Sequence, residues 1–165
     1  LIILVVISIF AISLIAITTM KEFEIEDSLG FIISRTKALM QNYFNYQIKL
    51  NNIDATAEQW GLLNIINRNP GLTQSKLALL SLKDKTNITR MLDVLERGKR
   101  IKRENDKNDR RTYRIFITEA GKELINKLIP IAENVNNQSS ESMNKKELET
   151  LIKLLRQLDS NFTEN

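Results

Sequence analysis

The sequence predicts a mainly α chain carrying one small β-hairpin, and three observations lead there. Apolar residues recur at three- and four-residue spacing over several stretches, the period of a helix with one buried face. One region alone, Ile101 to Glu104 with Thr112 to Ile117, changes to the two-residue alternation of strands, its two runs joined by the polar tip Asn105 to Arg111. Two segments, Thr56-Ala-Glu-Gln59 and Asn144-Lys-Lys-Glu147, have the spacing of a capping box, which marks helix starts.

At 165 residues, 42% apolar and 27% charged, the chain is long enough for one domain with a real core. It contains no cysteine and no histidine. That removes disulfides, thiolate chemistry, the commonest general base and the commonest zinc ligand. No Gly-rich phosphate loop occurs, and no set of Asp, Glu, Lys and Tyr is arranged for catalysis, so neither an enzyme nor a bound metal or cofactor is expected. Charge is segregated. From Lys83 to Arg114 there are twelve Lys or Arg against six Asp or Glu, a net of +6, whereas the whole chain is +4. Positive charge gathered on one helix and one hairpin is the footprint of a surface that meets a polyanion.

Leu1 to Thr19 is uncharged, lacks Gly and Pro, and has the ~20-residue length needed to cross a ~30 Å hydrocarbon core. No basic residue precedes it and no small-x-small cleavage site follows, which argues against a cleaved signal peptide. The chain opens at Leu1, and Met20 stands where ordinary composition begins. The stretch therefore reads either as a membrane anchor or as an extension upstream of a start at Met20. An acidic lead-in precedes Ser28 to Leu50, a long helix with a broad apolar face. Asn51, Asn52 and Asp54 break it. The helix opened by Thr56 runs to about Asn67, burying Trp60, Leu63 and Ile66, and Asn69-Pro70-Gly71 stops it.

Thr73 caps a short helix from Gln74 to about Leu80, with Leu77 and Leu80 inward. After the brief turn Ser81 to Lys83 comes a helix burying Ile88, Met91, Leu92 and Leu95. Two short helices joined by a tight turn, the second basic on its outer face, form a helix-turn-helix pattern, and the hairpin after it would be a wing. Thr118 opens another helix through Leu124, Ile125, Leu128 and Ile129, which Pro130 is expected to bend. Asn134 to Ser142 reads as a polar hinge. A last helix carries Leu148, Leu151, Ile152, Leu154, Leu155 and Leu158, then Phe162.

Three stretches in order carry a family resemblance: Asp84-Lys-Thr-Asn-Ile-Thr-Arg90 with Leu95-Glu96; Asp106-x-x-Asp109-Arg110-Arg111; and Ile115-x-Ile117-Thr118-x-x-Gly121. Together they resemble the MarR (multiple-antibiotic-resistance regulator) family over about Glu22 to Phe162. The resemblance implies a winged helix-turn-helix dimer whose N- and C-terminal helices interlock, with the recognition helix in the major groove and the wing in the minor groove. It further implies a repressor that releases double-stranded DNA when a small ligand binds between the dimer helices and the DNA-reading lobe. On this reading 20–165 is the domain, 56–118 the DNA-binding lobe, and 28–50 with 119–162 the dimerisation helices. The chain departs from the family at Lys99, where Gly is usual, and at Arg100, where an apolar residue is usual; Gly98 comes one residue early. Either the helix ends sooner or Lys99 adopts the left-handed cap. Arg100 is expected to leave a packing hole and put the helix–wing angle in doubt.

Thr86, Asn87, Thr89 and Arg90 lie in the first turns of the recognition helix, where side chains reach base edges, against the plainer reading of a solvated helix start. Gln74 and Ser75 either hold phosphate or simply cap. Arg110 at the tip is expected to enter the minor groove, with Asp109 orienting the loop through an ion pair. Arg111 and Arg114 either hold phosphate or pair with Glu104, and Lys99, Lys102 and Lys107 supply a diffuse field. Tyr43, Phe44 and Trp60 are ordinary core or the wall of a cleft for a small organic effector. The apolar stripes that include Leu29 and Ile32, and Leu148, Leu151, Leu155, Leu158 and Phe162, are too extensive for so small a lobe and are expected to form a homodimer interface. The expected location is cytoplasmic, or membrane-anchored if 1–19 spans a bilayer.

Overall fold

The computed structural model describes residues 24–106, 109 and 111–163. The anchor expected at 1–19 and the expectations for Lys107 and Arg110 lie outside the described residues. Among the described residues, no helix is long and apolar enough to cross a membrane.

A 3-10 turn, Ile25–Asp27, leads into α1 (Leu29–Leu50). There follow α2 (Ala57–Arg68), β1 (Leu72–Thr73), α3 (Gln74–Ser81), α4 (Lys85–Arg97), β2 (Ile101–Asn105), β3 (Tyr113–Ile117), α5 (Glu119–Ser139) and α6 (Lys145–Thr163). The chain divides within α1, after Ala38, into two units. In the first, Ser28 Oγ donates to the Ile25 carbonyl at 2.6 Å to close the entry turn, and Leu29, Phe31 and Ile32 are exposed.

The second unit contains the core. Ile48 of α1, Leu63 and Ile66 of α2, Leu77 of α3, and Ile88, Leu92 and Leu95 of α4 are almost wholly buried, as are Ile115 of β3 and Leu128 of α5. Each such side chain stabilises the fold by about 1.5–3 kcal/mol relative to leaving it exposed. Local chemistry sets the helix starts. Thr56 accepts from the Gln59 N–H while the Gln59 side chain accepts from the Thr56 N–H. Asn144 and Glu147 make the same reciprocal pair ahead of α6. Thr73, Asp84 and Thr118 each accept one orphan N–H of the helix they open.

The hairpin belongs to a three-stranded antiparallel sheet of order β1-β3-β2. Strand β1, two residues long, was not expected. It pairs Leu72 with Ile115 and Thr73 with Arg114, so the turn before α3 is stitched to the wing. Gly71 makes this possible. Its φ is +78°, its N–H donates to the Ile115 carbonyl at 2.9 Å, and a Cβ there would meet the Phe116 ring at 3.2 Å.

Three expectations are corrected by these contacts. Asn134 to Ser142 is not a hinge: α5 runs through Pro130 to Ser139. The buried stripe Leu124, Leu128, Ile131 and Val135 continues at helical spacing into the polar segment and carries the helix with it. Leu80 points outward, and Ala78 fills the inner position beside Leu77. Trp60 is only partly buried, and Leu62 joins Leu63 and Ile66 in the core. Arg100 is not simply an added surface charge: its guanidinium reaches the Asp54 backbone carbonyl and, at 3.1 Å, the Asp54 carboxylate.

Of the two outcomes set for the end of α4, the left-handed cap occurs. Lys99 has φ +54° while Gly98 keeps an ordinary φ of −76°. The Arg100 N–H donates to the Leu95 carbonyl at 2.9 Å and the Lys99 N–H to that of Glu96 at 2.8 Å, the paired bonds of a Schellman stop.

Candidate nucleic-acid interface

The side chains that would face a duplex are set by α4, a short helix with one strongly apolar face. Ile88, Met91, Leu92 and Leu95 are buried, which turns Lys85, Thr86, Thr89, Arg90 and Arg97 outward. Asp84 starts this helix by accepting the Asn87 N–H at 2.8 Å. Asn87 is half-buried, with Thr86 and Arg90 exposed beside it. Thr89 is also exposed but already engaged: its hydroxyl donates to the Lys85 carbonyl at 2.8 Å and accepts the Gln74 side-chain amide at 2.6 Å. Gln74 thereby links the first turn of α3 to the second turn of α4. Ser75, next to it, is exposed at the N-terminal end of α3.

Pairing sorts the charges of the basic window. Asp93 and Glu96 are both taken by Arg103 of β2, at 2.8 and 2.9 Å, and the Arg103 N–H also donates to Glu96 at 3.2 Å. Glu104 pairs with Lys102 at 2.7 Å, Asp106 with Arg114, and outside the window Asp54 pairs with Arg100 and Glu58 with Lys83. Every described acid of the window is therefore engaged, as a cap or in an ion pair. Among the described residues, Lys85, Arg90, Arg97, Lys99 and Arg111 remain exposed and make no ion pair. The positive field read from the sequence thus resolves into cations on the outer face of α4, its C-terminal turn and the wing. Lys102 is paired with Glu104 and lies over the Phe116 ring at 5.7 Å.

In the wing, Asp109 acts through hydrogen bonds. Its carboxylate accepts the Arg111 N–H at 2.9 Å and the Thr112 hydroxyl at 2.8 Å. These bonds, that from the Arg111 N–H first, hold the Asp109 carboxyl below the ordinary carboxylate range. Arg111 is exposed and turned out by this cap. Arg114 pairs not with Glu104, which faces it across the sheet, but with Asp106. Asp106 had drawn no role from the sequence; only its place in an Asp-x-x-Asp spacing marked it. Lys85, at the first position of α4, is a second candidate the sequence reading missed, because in sequence it is one of many lysines and only the fold shows it exposed and unpaired.

The effector candidates differ in burial: Phe44 is buried, and Tyr43 and Trp60 are half-buried. Phe44 is buried in the core, packed edge-to-face on Trp60 with ring centroids 5.3 Å apart. The Tyr43 hydroxyl accepts from the Gln47 amide at 2.8 Å. Trp60 lines a groove of about 400 Å³ with Gly61, Asn64, Ile65, Arg68, Asn69 and Leu80, and its indole N–H is buried with no hydrogen-bond partner. Of the interface candidates, Leu29, Ile32, Leu151, Leu155 and Phe162 are exposed in the single chain, with Leu148 and Leu158 half-buried. Helix α6 buries none of its residues within the chain.

Comparison with known proteins agrees with this arrangement. A model of the MarR family matches residues 55–113. Transcriptional regulator HosA of Escherichia coli O157:H7 is 26% identical over 105 residues, 64% of this chain and 78% of that protein. The HTH-type transcriptional regulator YybA of Bacillus subtilis (strain 168) is 29% identical over 115 residues, 70% of this chain and 77% of that protein. A crystal structure of MarR superposes with TM-score 0.74 at 26% identity, over 83% of this chain and 98% of that one. An E. coli MarR variant complexed with operator DNA gives 0.74 at 21% identity, covering 82% and 99%. Bordetella bronchiseptica BpsR, whose DNA binding is regulated by 6-hydroxynicotinic acid, gives 0.74 at 19%, covering 83% and 96%. With its helix-turn-helix and three-stranded wing, the chain has the winged-helix fold of the MarR structures, and residues 55–113 match the MarR family, whose curated relatives here are transcriptional regulators.

Proposed function

We propose that the chain acts as a homodimeric repressor on a pseudo-palindromic DNA operator. The observation that carries this is the sorting of charge: acids of the basic window are engaged internally, and the exposed cations remain on α4 and the wing. In a two-fold pair, recognition helices enter successive major grooves roughly 34 Å apart. Arg90 and Asn87 suit bidentate contacts to guanine and adenine, and Lys85, Ser75, Lys99 and Arg111 suit phosphate. Arg110 belongs to the same wing by sequence, and the minor groove is its expected target. The exposed apolar rows of α1 and α6 supply the subunit contact. A regulator of transcription with this surface works where the chromosome is, in the cytoplasm.

Ligand response is part of the proposal. BpsR responds to a small aromatic acid, and the groove lined by Trp60 offers this chain an aromatic wall with Asn64 and Arg68 beside it. An effector bound there, or against Tyr43, would act by favouring a dimer whose α4 helices no longer match the groove spacing. The test is selection of binding sites from a random duplex pool, followed by titration of the recovered duplex. An inverted repeat is expected. Arg90→Ala should then weaken binding about 5- to 150-fold and relax specificity at one position of each half-site. Recovery of no preferred sequence would count against the reading.

A further inference from the structure

Arg114 joins the loop end of the hairpin to the turn that enters α3. It stands on β3 opposite Glu104, yet its guanidinium turns elsewhere. Nε donates to the Asp106 carboxylate, and Nη1 donates to the Gly71 carbonyl at 3.1 Å. Asp106 is the one buried charged residue among those described, 9% exposed, in a hairpin that is otherwise well solvated. A carboxylate removed from water is costly unless paired and hydrogen-bonded, so its surroundings should be built around it. They are. The Asp106 N–H donates to the Thr112 carbonyl at 2.9 Å, and its Oδ1 accepts the Asp109 N–H at 3.2 Å. Asp109 in turn caps Arg111 and Thr112. At the other end, Gly71 pairs with Ile115, and Thr73, two residues on, is the cap of α3.

A guanidinium presents its donors in a fixed planar fork. Here that fork spans two acceptors from distant parts of the chain. We propose that Arg114 is a positioning residue: by bracing Asp106 against the Gly71 carbonyl, it fixes Asp106, Asp109 and Arg111 of the wing relative to the phosphate-facing start of α3 and makes no phosphate contact of its own. The proposal rests on the wing touching DNA, as read above. It also makes a counter-intuitive claim about Asp106. An acid near a DNA surface should oppose binding, so on charge alone its removal would help. If it anchors the brace, its removal must hurt.

The experiment measures affinity of the full chain for the selected duplex across a salt series, for wild type, Arg114→Lys, Asp106→Asn and the double variant. The brace predicts that both single variants lose about tenfold, because each breaks a charge-assisted hydrogen bond at the joint. The double variant should lose little more than either alone, since both act through one joint. The slope of log K against log salt should stay at the wild-type value in Arg114→Lys and in a further Arg114→Gln variant. Tighter binding by Asp106→Asn, wild-type affinity in Arg114→Lys, or a slope reduced by about one in Arg114→Gln would overturn the proposal. A second readout needs no DNA: amide hydrogen exchange at Asp109, Arg111 and Thr112 should quicken about tenfold in Arg114→Lys while Leu92 and Leu95 stay protected. Unchanged exchange at all three would overturn it equally. Arg111→Ala and Arg110→Ala separate the two levels. If neither affects affinity, the wing does not touch DNA and the underlying reading fails; if either weakens binding while Asp106→Asn does not, only the brace fails.

Discussion

Lys99 shows how a single backbone angle can hold a stability cost at the turn between α4 and the wing. At φ +54° it occupies the position where a Schellman stop favours glycine, while Gly98 spends its freedom on a conformation any residue adopts. Lys99→Gly should therefore stabilise the fold by about 1 kcal/mol. Gly98→Ala should be nearly neutral, since its added Cβ meets nothing closer than 3.4 Å. Thermal unfolding of the two variants checks both. Gly121 behaves oppositely: a Cβ there would lie 2.1 Å from the Arg100 carbonyl oxygen and 2.7 Å from the Ile117 side chain. Gly121→Ala should cost about 3 kcal/mol, because the clash is with backbone that Thr118 also holds, its hydroxyl donating to the Lys99 carbonyl at 2.7 Å. Asp109 supplies the pH dependence. Its carboxyl is held below the ordinary value near 3.8, so its contribution to the wing is complete above that value and lost as pH falls through the lower, folded value. Carbon NMR titration should find the Asp109 carboxyl titrating below 3.8, and a carboxyl titrating at or above it would contradict the cap.

The recognition helix and the wing meet at a joint made by Arg103, whose guanidinium spans Asp93 and Glu96 on one face of α4. Arg103→Ala should cost about 1 kcal/mol, because both acids are partly solvated, and should weaken DNA binding by loosening the angle between helix and hairpin. Paired melting curves and binding titrations test it; unchanged affinity beside a lowered melting point would place the joint outside recognition. How well each element could be read from sequence followed from the range of the interactions that define it. The capping boxes at Thr56 and Asn144, the buried face of α4 and the extent of the hairpin are set within a few residues, and they were legible. Strand β1 was not, since two residues carry no period and their partner on β3 lies far along the chain. The polar composition of Asn134 to Ser142 hid a helix that Val135 extends by packing on the core. The partners of Arg100 and Arg114 were hidden for the same reason: Asp54 and the Gly71 carbonyl come near only once α2, β1 and β3 are assembled.

The candidate site divides along the same line. Which residues of α4 are exposed was readable for Thr86, Thr89 and Arg90, because the helix has one buried face and so only one outward face. Which exposed side chains are already engaged was not: Thr89 is held by Gln74, and Lys102 by Glu104. At the level of the assembly, α6 and the first half of α1 expose rows of large apolar side chains that no described neighbour covers within the chain. The homodimer proposed above would cover these rows. Leu155→Glu should produce a monomer that keeps its helical signature, since Leu155 packs nothing in the core, and should lose most affinity for an inverted repeat, because each half-site then binds without the other. Sedimentation and circular dichroism on the same sample check both halves of that expectation.

The most direct measurement joins DNA binding to assembly. Mass by light scattering, taken on the chain alone and on its complex with the selected inverted-repeat duplex, should give two copies in each case, and the scrambled duplex should bind far more weakly at the same salt. A single copy on the inverted repeat, or equal affinity for the scrambled sequence, would contradict the account.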